Sequence, residues 1–285
     1  MGNNEPDSSL NVIFRGLKKY SCFEYIKGTQ DINAVLNSCG NVLIGSYRYY
    51  KDDLLYKMKR KFGKNCFCFI HGFNTGNDTV KVFKERYERI YNEGVKLLVS
   101  CSYAYKYLRE LDLDGFIVPF GVDLDSFKCR EKLANGRPIF GMCYQKRKAH
   151  RKGADILDSI RKMGYKTKIA DDIPNEKLHE FYRSIDCLIV ASNDDGRETF
   201  CLPIIEAAAC GTPTISTPVG CATDVIKNGY NGYIVKNKSE IIDLISNNLN
   251  FIEMGKNARS VIEDKWSWDI TTIAWDSTIV EVCGE

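Results

Sequence analysis

A chain of 285 residues with 44% apolar and 27% charged residues reads as globular rather than disordered, and it is long enough for two domains of about 100–150 residues each. A net charge of +3 excludes the overall basic charge that marks nucleic-acid binding but leaves room for a local phosphate-binding cleft. The 12 cysteines form no CxxC pair and are joined by only three histidines (His71, His150, His179), spacings that argue against a zinc site and for small apolar thiols in a reducing compartment.

The first ten residues, MGNNEPDSSL, are polar and lack the apolar core of a signal peptide; Pro6 stands where a myristoylation motif wants Ser or Thr. No apolar stretch approaches the 18 residues of a membrane span, so a cytoplasmic protein is expected. Short apolar runs predict strands at Asn11–Arg15, Asn41–Gly45, Cys66–His71, Lys96–Ser100 and Phe116–Pro119. Helical patterns fall between them at Lys51–Phe62, Thr79–Asn92 and Ser102–Leu111. The stretch Lys51–Lys64 mixes Lys57, Lys59, Arg60 and Lys61 with Leu54, Leu55, Met58 and Phe62, which suits an amphipathic surface helix or a peripheral contact with an anionic membrane.

A polar linker at about Gly121–Arg137 precedes a second set. Its strands are predicted at Pro138–Met142, Thr167–Ala170, Cys187–Ala191, Thr214–Ser216 and Tyr233–Val235, with helices at Ala154–Met163, Asn175–Ile185, Pro203–Cys210, Ser239–Leu249 and about Asp269–Val282. The fold class is therefore α/β, with two Rossmann-like doubly wound domains facing a cleft and the N-terminal one short. The expected divisions are residues 1–125 on the acceptor side, 126–268 for nucleotide-sugar binding, and a helix at 269–285 packing back on the first domain.

The most informative stretch runs from Ser192 to Gly220, SNDDGRETFCLPIIEAAACGTPTISTPVG. A buried strand enters a loop, a helix opens at Pro203, small alanines suit close packing on a sheet, and Cys210–Gly211 ends the helix. Glu198 precedes the helix and Glu206 lies one turn inside it. Unpartnered amides at the helix mouth make a ready anion site suited to a diphosphate, and Glu206 is placed to accept from ribose hydroxyls. Taken alone, Glu206 suits equally well a role in complementing the helix dipole.

This stretch closely resembles the signature of the family 4 glycosyltransferases, which have the GT-B fold. The pattern E-G-F-G-L-P-x-x-E-A-x-A-x-G-T-P-V-I is matched here from Glu198 through Pro203, Glu206, Gly211 and Pro213 to Ile215. Val118–Phe127 (VPFGVDLDSF), Asp224–Val235 (DVIKNGYNGYIV) and Trp266–Asp269 (WSWD) resemble further blocks of the family, so that the resemblance covers roughly residues 115–285.

The resemblance implies that Glu198 contacts the donor sugar and Glu206 the nucleotide ribose, with the backbone of Thr199, Phe200, Cys201 and Leu202 holding the phosphates. Lys152, in a Lys-Gly pair, falls where the family binds the diphosphate, inside the basic run at residues 145–153. His71 resembles the family's cleft histidine facing the donor sugar. Met142 stands where the family carries an arginine after the strand glycine, and Arg147 or Arg151 is near enough in sequence to replace it. Thr199 and Cys201 replace glycines of the phosphate loop, and Phe120 replaces the usual asparagine.

The expected activity is retaining transfer of a hexose or related sugar from a UDP- or GDP-sugar to a hydroxyl of a glycan, glycoprotein or lipid-linked acceptor. No cofactor and no metal are expected; the acidic pairs Asp171–Asp172 and Asp194–Asp195 read as solvated turn carboxylates. The alternatives are a nucleotide-sugar-binding protein with impaired catalysis and a nucleotide-sugar epimerase on the same fold.

Overall fold

The computed structural model describes residues 9–23, 36–37, 40, 42–45, 53–73, 80–129, 136–193, 198–247 and 249–284. Helix α1 (Ser9–Tyr20) comes first, followed by β1 (Leu43–Gly45), α2 (Asp53–Phe62), β2 (Cys66–Phe69), α3 (Val80–Asn92), β3 (Lys96–Val99), α4 (Ser102–Glu110) and β4 (Phe116–Ile117). These strands form one parallel sheet in the order β1-β2-β3-β4. Every residue of β2, CFCF, is buried, because a parallel sheet is covered by helices on both faces and its strands are apolar throughout.

The predicted strand at Asn11–Arg15 is corrected by α1. Leu10, Ile13, Phe14 and Leu17 recur at helical spacing, and Lys18 and Lys19 in the last turn complement the helix dipole. A four-residue apolar run such as NVIF satisfies either period, and the longer window decides for helix.

The second half contains β5 (Ile139–Cys143), α5 (Ile156–Lys162), β6 (Lys166–Ala170), α6 (Leu178–Arg183), β7 (Cys187–Val190), α7 (Leu202–Ala209), β8 (Thr214–Ser216), α8 (Ala222–Val225), β9 (Gly232–Ile234), α9 (Lys238–Ser246), α10 (Phe251–Lys265) and α11 (Trp268–Cys283). Its strands form a second parallel sheet in the order β6-β5-β7-β8-β9. The order reverses direction at β5, and the crevice beside that reversal, at the carboxyl ends of β5 and β7, is where such sheets bind ligands. Helix α10 was not anticipated. Its start is nevertheless signalled by Asn250 and Glu253, since the Asn250 side chain accepts from the Glu253 amide at 3.1 Å.

The last helix spans the two halves. It packs on α1, and the Trp275 indole donates to the Pro119 carbonyl at 2.8 Å and stacks on Phe69 of β2. Phe69 in turn stacks on Phe120, which meets Phe200 of the second domain at a ring separation of 4.6 Å. Phe120, where the resembling family has asparagine, is thus a buried link in an aromatic column joining both sheets.

Helix α2 buries Leu55, Met58 and Phe62 and turns Tyr56, Lys57 and Arg60 outward. Its apolar face is spent in the core, so any membrane contact through it is left to charge alone. Lys51 and Asp52 of the predicted segment lie outside the described residues. No described helix is long and apolar enough to cross a membrane.

Candidate active site

The chain leaves β5 into a basic turn. Lys146 caps it by donating its amide to Asp171 at 2.9 Å and its ammonium at 3.1 Å, so Asp171 is engaged in holding the turn. Arg147 is exposed on a short 3-10 turn, Lys146–Lys148, and its guanidinium donates to Gln145 Oε1 at 3.0 and 3.2 Å. The turn then closes on the end of β7, where the Asn193 amide donates to the Arg151 carbonyl at 3.2 Å. Gly153 has φ +68°, and a Cβ there would sit 2.3 Å from the Ala191 carbonyl oxygen. Only glycine fits that approach, which sets Lys152 against the strand end. Gly153→Ala is expected to destabilise the fold by about 2–4 kcal/mol in urea titration, through left-handed backbone strain and overpacking together.

Glu198 receives this turn. Lys152 Nζ donates to Glu198 Oε2, Ser192 Oγ donates to the same oxygen at 3.3 Å, and Arg151 Nη1 lies 3.9 Å from it. The loop that follows is anchored through its carbonyls. The Thr199 carbonyl accepts from Ser100 Oγ at 2.9 Å and Cys101 Sγ at 2.8 Å, and the Phe200 carbonyl accepts from the Cys221 amide at 2.7 Å. In a planar trans peptide the next N–H points opposite its C=O, so the amides of Phe200 and Cys201 face away from these partners. Leu202 then opens α7, adding its own amide and the partial positive charge of a helix start; Pro203 has no N–H, and the Ile204 amide donates to the Cys201 carbonyl at 3.0 Å.

Cys201 caps α7 with φ +65°, a left-handed conformation that costs a non-glycine residue about 1–2 kcal/mol. The backbone geometry is thus kept although the glycine of the resembling pattern is gone. Thr199, the other replacement, has a positive use: its Oγ1 donates to the His71 carbonyl at 3.0 Å across the two domains. A glycine cannot make that bond. Thr199→Val, which keeps the volume, is expected to cost about 1 kcal/mol in denaturant titration.

His71 lies just past β2 with its ring 4.8 Å from that of Phe69, and its Nε2 is buried without a hydrogen-bond partner among the described residues. Burial pushes its pKa down to about 4, so the imidazole is neutral at pH 7. Glu206 is 5% exposed, and Tyr182 of α6 donates to its Oε2 at 2.7 Å, leaving the second carboxylate oxygen without that donor. Burial raises the Glu206 pKa to about 7, against a smaller lowering by the Tyr182 hydrogen bond.

The structure therefore brings together Lys152, Glu198 and the residue 199–202 backbone. Thr199 ties His71 to that loop from the other domain, and Glu206 lies inside α7, on the helix that the loop opens. Arg147 is not brought to the cluster. Tyr182, Ser192, Ser100 and Cys101 were missed, because their roles arise only from tertiary contact. The cavity lined by Cys143, Lys152, Ala191, Ser192, Cys201 and Pro203 is about 10 Å³, room for about one water. Seating a diphosphate there requires Lys152 to exchange Glu198 for the phosphate.

Residues 152–265 match the family described as Glycosyl transferases group 1. The lipopolysaccharide 1,2-N-acetylglucosaminetransferase of Salmonella typhimurium is 26% identical over 121 residues, 40% of this chain and 31% of the relative. The D-inositol 3-phosphate glycosyltransferase of Acidothermus cellulolyticus is 38% identical over 66 residues, 23% of this chain and 14% of the relative. The chain thus spans less than half the length of these curated relatives. Among solved structures, Anabaena HepE in complex with UDP and glucose superposes with a TM-score of 0.72 at 10% identity, covering 100% of this chain and 98% of that one. Sucrose-phosphate synthase from Thermosynechococcus elongatus gives 0.69 at 15% identity, covering 93% and 82%. The fold is the GT-B fold of glycosyltransferases.

Proposed function

We propose that this chain is a retaining glycosyltransferase that takes a hexose or related sugar from a UDP- or GDP-sugar and passes it to an acceptor hydroxyl of a carbohydrate. The observation that carries the reading is the cluster at the mouth of α7. There Lys152 and outward amides stand beside Glu198, and Glu206 is buried one turn further on. This is the arrangement a nucleoside diphosphate needs: cation and amides for the phosphates, one carboxylate for sugar hydroxyls, one for the ribose. The Anabaena structure holding UDP and glucose in the same fold is consistent with it.

In the reaction the bond between the sugar carbon and the distal phosphate oxygen breaks while the acceptor oxygen bonds to that carbon. Charge accumulates on the diphosphate, where Lys152 and the residue 200–202 amides stabilise it, so the residues themselves provide what a metal ion provides elsewhere. A donor phosphate oxygen takes the acceptor proton. Glu198 orients the sugar, and the neutral His71 faces it from the other domain. Holding donor and acceptor together supplies the rest of the acceleration. Thermal-shift screening of the whole chain against a panel of sugar nucleotides tests the reading: one of them raises the melting temperature, and transfer to an acceptor follows with that donor. A panel in which none shifts it removes the reading.

A further inference from the structure

Glu206 has a partner whose position is fixed from two sides. Tyr182 of α6 is fully buried, and its hydroxyl donates to Glu206 Oε2 at 2.7 Å. The Tyr182 carbonyl accepts from Thr212 Oγ1 at 2.7 Å, which ties the end of α6 to the chain just after α7. The ring packs on those of Phe127 and Phe181, with centroids 6.3 and 5.5 Å away. A buried phenol held in one place offers its proton in one direction, and the carboxylate that accepts it is held in turn. The other groups around Glu206 do not do this. Cys143 of β5 is hydrogen-bonded to the same hydroxyl, and burial pushes its thiol up to about 12. Cys201 and Cys210, at the two ends of α7, are raised by burial as well, so all three thiols are neutral at pH 7. Strands β7 and β8 bring no charged side chain, and Asp224 of α8 accepts from the Ser102 amide at 2.9 Å. Arg259 of α10 donates to the Phe127 and Ala209 carbonyls and to Glu263, Arg183 to the Lys128 carbonyl, and Lys152 to Glu198. Among the described residues, Tyr182 is therefore the donor that favours ionised Glu206 against the burial that opposes it.

Resting on the reading of Glu206 as the ribose carboxylate, we propose that Tyr182 is a positioning residue, whose hydroxyl occupies one Glu206 oxygen and so aims the other at the ribose hydroxyls. It does not touch the nucleotide. Its effect passes through Glu206 in two ways: it fixes the direction of the carboxylate, and it stabilises the charge that makes that carboxylate an acceptor for hydroxyl donors. Without it burial acts unopposed, Glu206 keeps its proton to higher pH, and ribose recognition begins later on the pH scale.

The test is calorimetric titration of the full chain with UDP, GDP and ADP, each against its 2′,3′-dideoxy form, between pH 6 and pH 9. The proteins are wild type, Tyr182→Phe, Glu206→Gln and the double variant. Wild type is expected to prefer the ribose form increasingly as the pH rises through 7. In Tyr182→Phe the same rise comes about one pH unit later, so that at pH 7 the ribose form binds about fivefold more weakly while the dideoxy form changes less than about twofold. In the Glu206→Gln background, Tyr182→Phe adds less than about a twofold change, because the residue it acts through no longer ionises. Equal losses on ribose and dideoxy ligands at every pH indicate a merely structural role and overturn the proposal. So does an unmoved pH profile, or the same loss repeated in the Glu206→Gln background. If Tyr182→Phe does not fold, Tyr182→Met carries the same comparison. Wild type that binds none of the three diphosphates, or binds one without preferring its ribose form, removes the reading of Glu206 along with the inference. Wild type that prefers the ribose form, with its profile intact in the Tyr182 variant, removes the inference alone.

Discussion

Glu206→Gln is expected to stabilise the protein at pH 8 by an amount on the order of 3 kcal/mol, while weakening nucleotide binding at that pH at least about tenfold. The two effects have one cause. Burial raises the carboxyl to about 7 from its ordinary 4.5, so the folded protein holds a proton that the unfolded chain has released. Glu206 contributes its full stability below pH 4.5, and this is lost as the pH rises through 7. Glutamine keeps the shape and carries no charge, so the loss disappears. The same replacement removes the ionised acceptor that ribose hydroxyls need. Affinity of wild type should therefore increase from pH 6 to pH 8, and that of Glu206→Gln should stay low and flat. Urea titrations and calorimetry at pH 6, 7 and 8 measure both, and Glu206→Ala should abolish the thermal shift altogether. An affinity that ignores the substitution assigns Glu206 to packing and to its Tyr182 hydrogen bond alone.

The second large effect is at Lys152. Removing one preorganised donor that meets developing charge in a water-poor site lowers kcat by about 10²–10³. Lys152→Ala should do so with the sugar nucleotide that stabilises the protein in screening, and the loss should exceed any change in KM, because the leaving diphosphate carries more charge than the bound donor. Arg151 and Ser192 remain beside Glu198, so the loop keeps partners and the fold should hold, as a melting curve checks. A variant that keeps full kcat, or that loses only KM, takes Lys152 out of leaving-group stabilisation.

Parts of this site were legible because they are contiguous in sequence. Glu198, Pro203 and Glu206 announce a loop, a helix start and an inward carboxylate within nine residues. Strands β1 to β9 were legible, most of them because buried parallel strands are short apolar runs between helices, whereas β6, KTKIA, is largely exposed. Long-range contacts were not. Tyr182 meets Glu206 from 24 residues upstream, and Thr199 reaches His71 across 128. Nothing local distinguishes Arg151 from Arg147 in the run QKRKAHRKG; only folding against β7 leaves Arg147 exposed and gives Arg151 a buried nitrogen with no hydrogen-bond partner among the described residues. The replacements at Phe120 and Thr199 looked like losses against the family pattern. In the fold they join the domains, through an aromatic column and an interdomain hydrogen bond. The apolar side chains of α2 gave amphipathicity but not its direction, which the core decides.

The central claim is that the amides opening α7 and Lys152 together hold a diphosphate. A crystal of the full chain soaked with UDP or GDP, whichever binds in calorimetry, tests it most directly. The account predicts phosphate oxygens within hydrogen-bond distance of the residue 200–202 amides and of Lys152 Nζ, with Glu198 released from Lys152. Nucleotide bound elsewhere, with the Lys152–Glu198 pair intact, contradicts it.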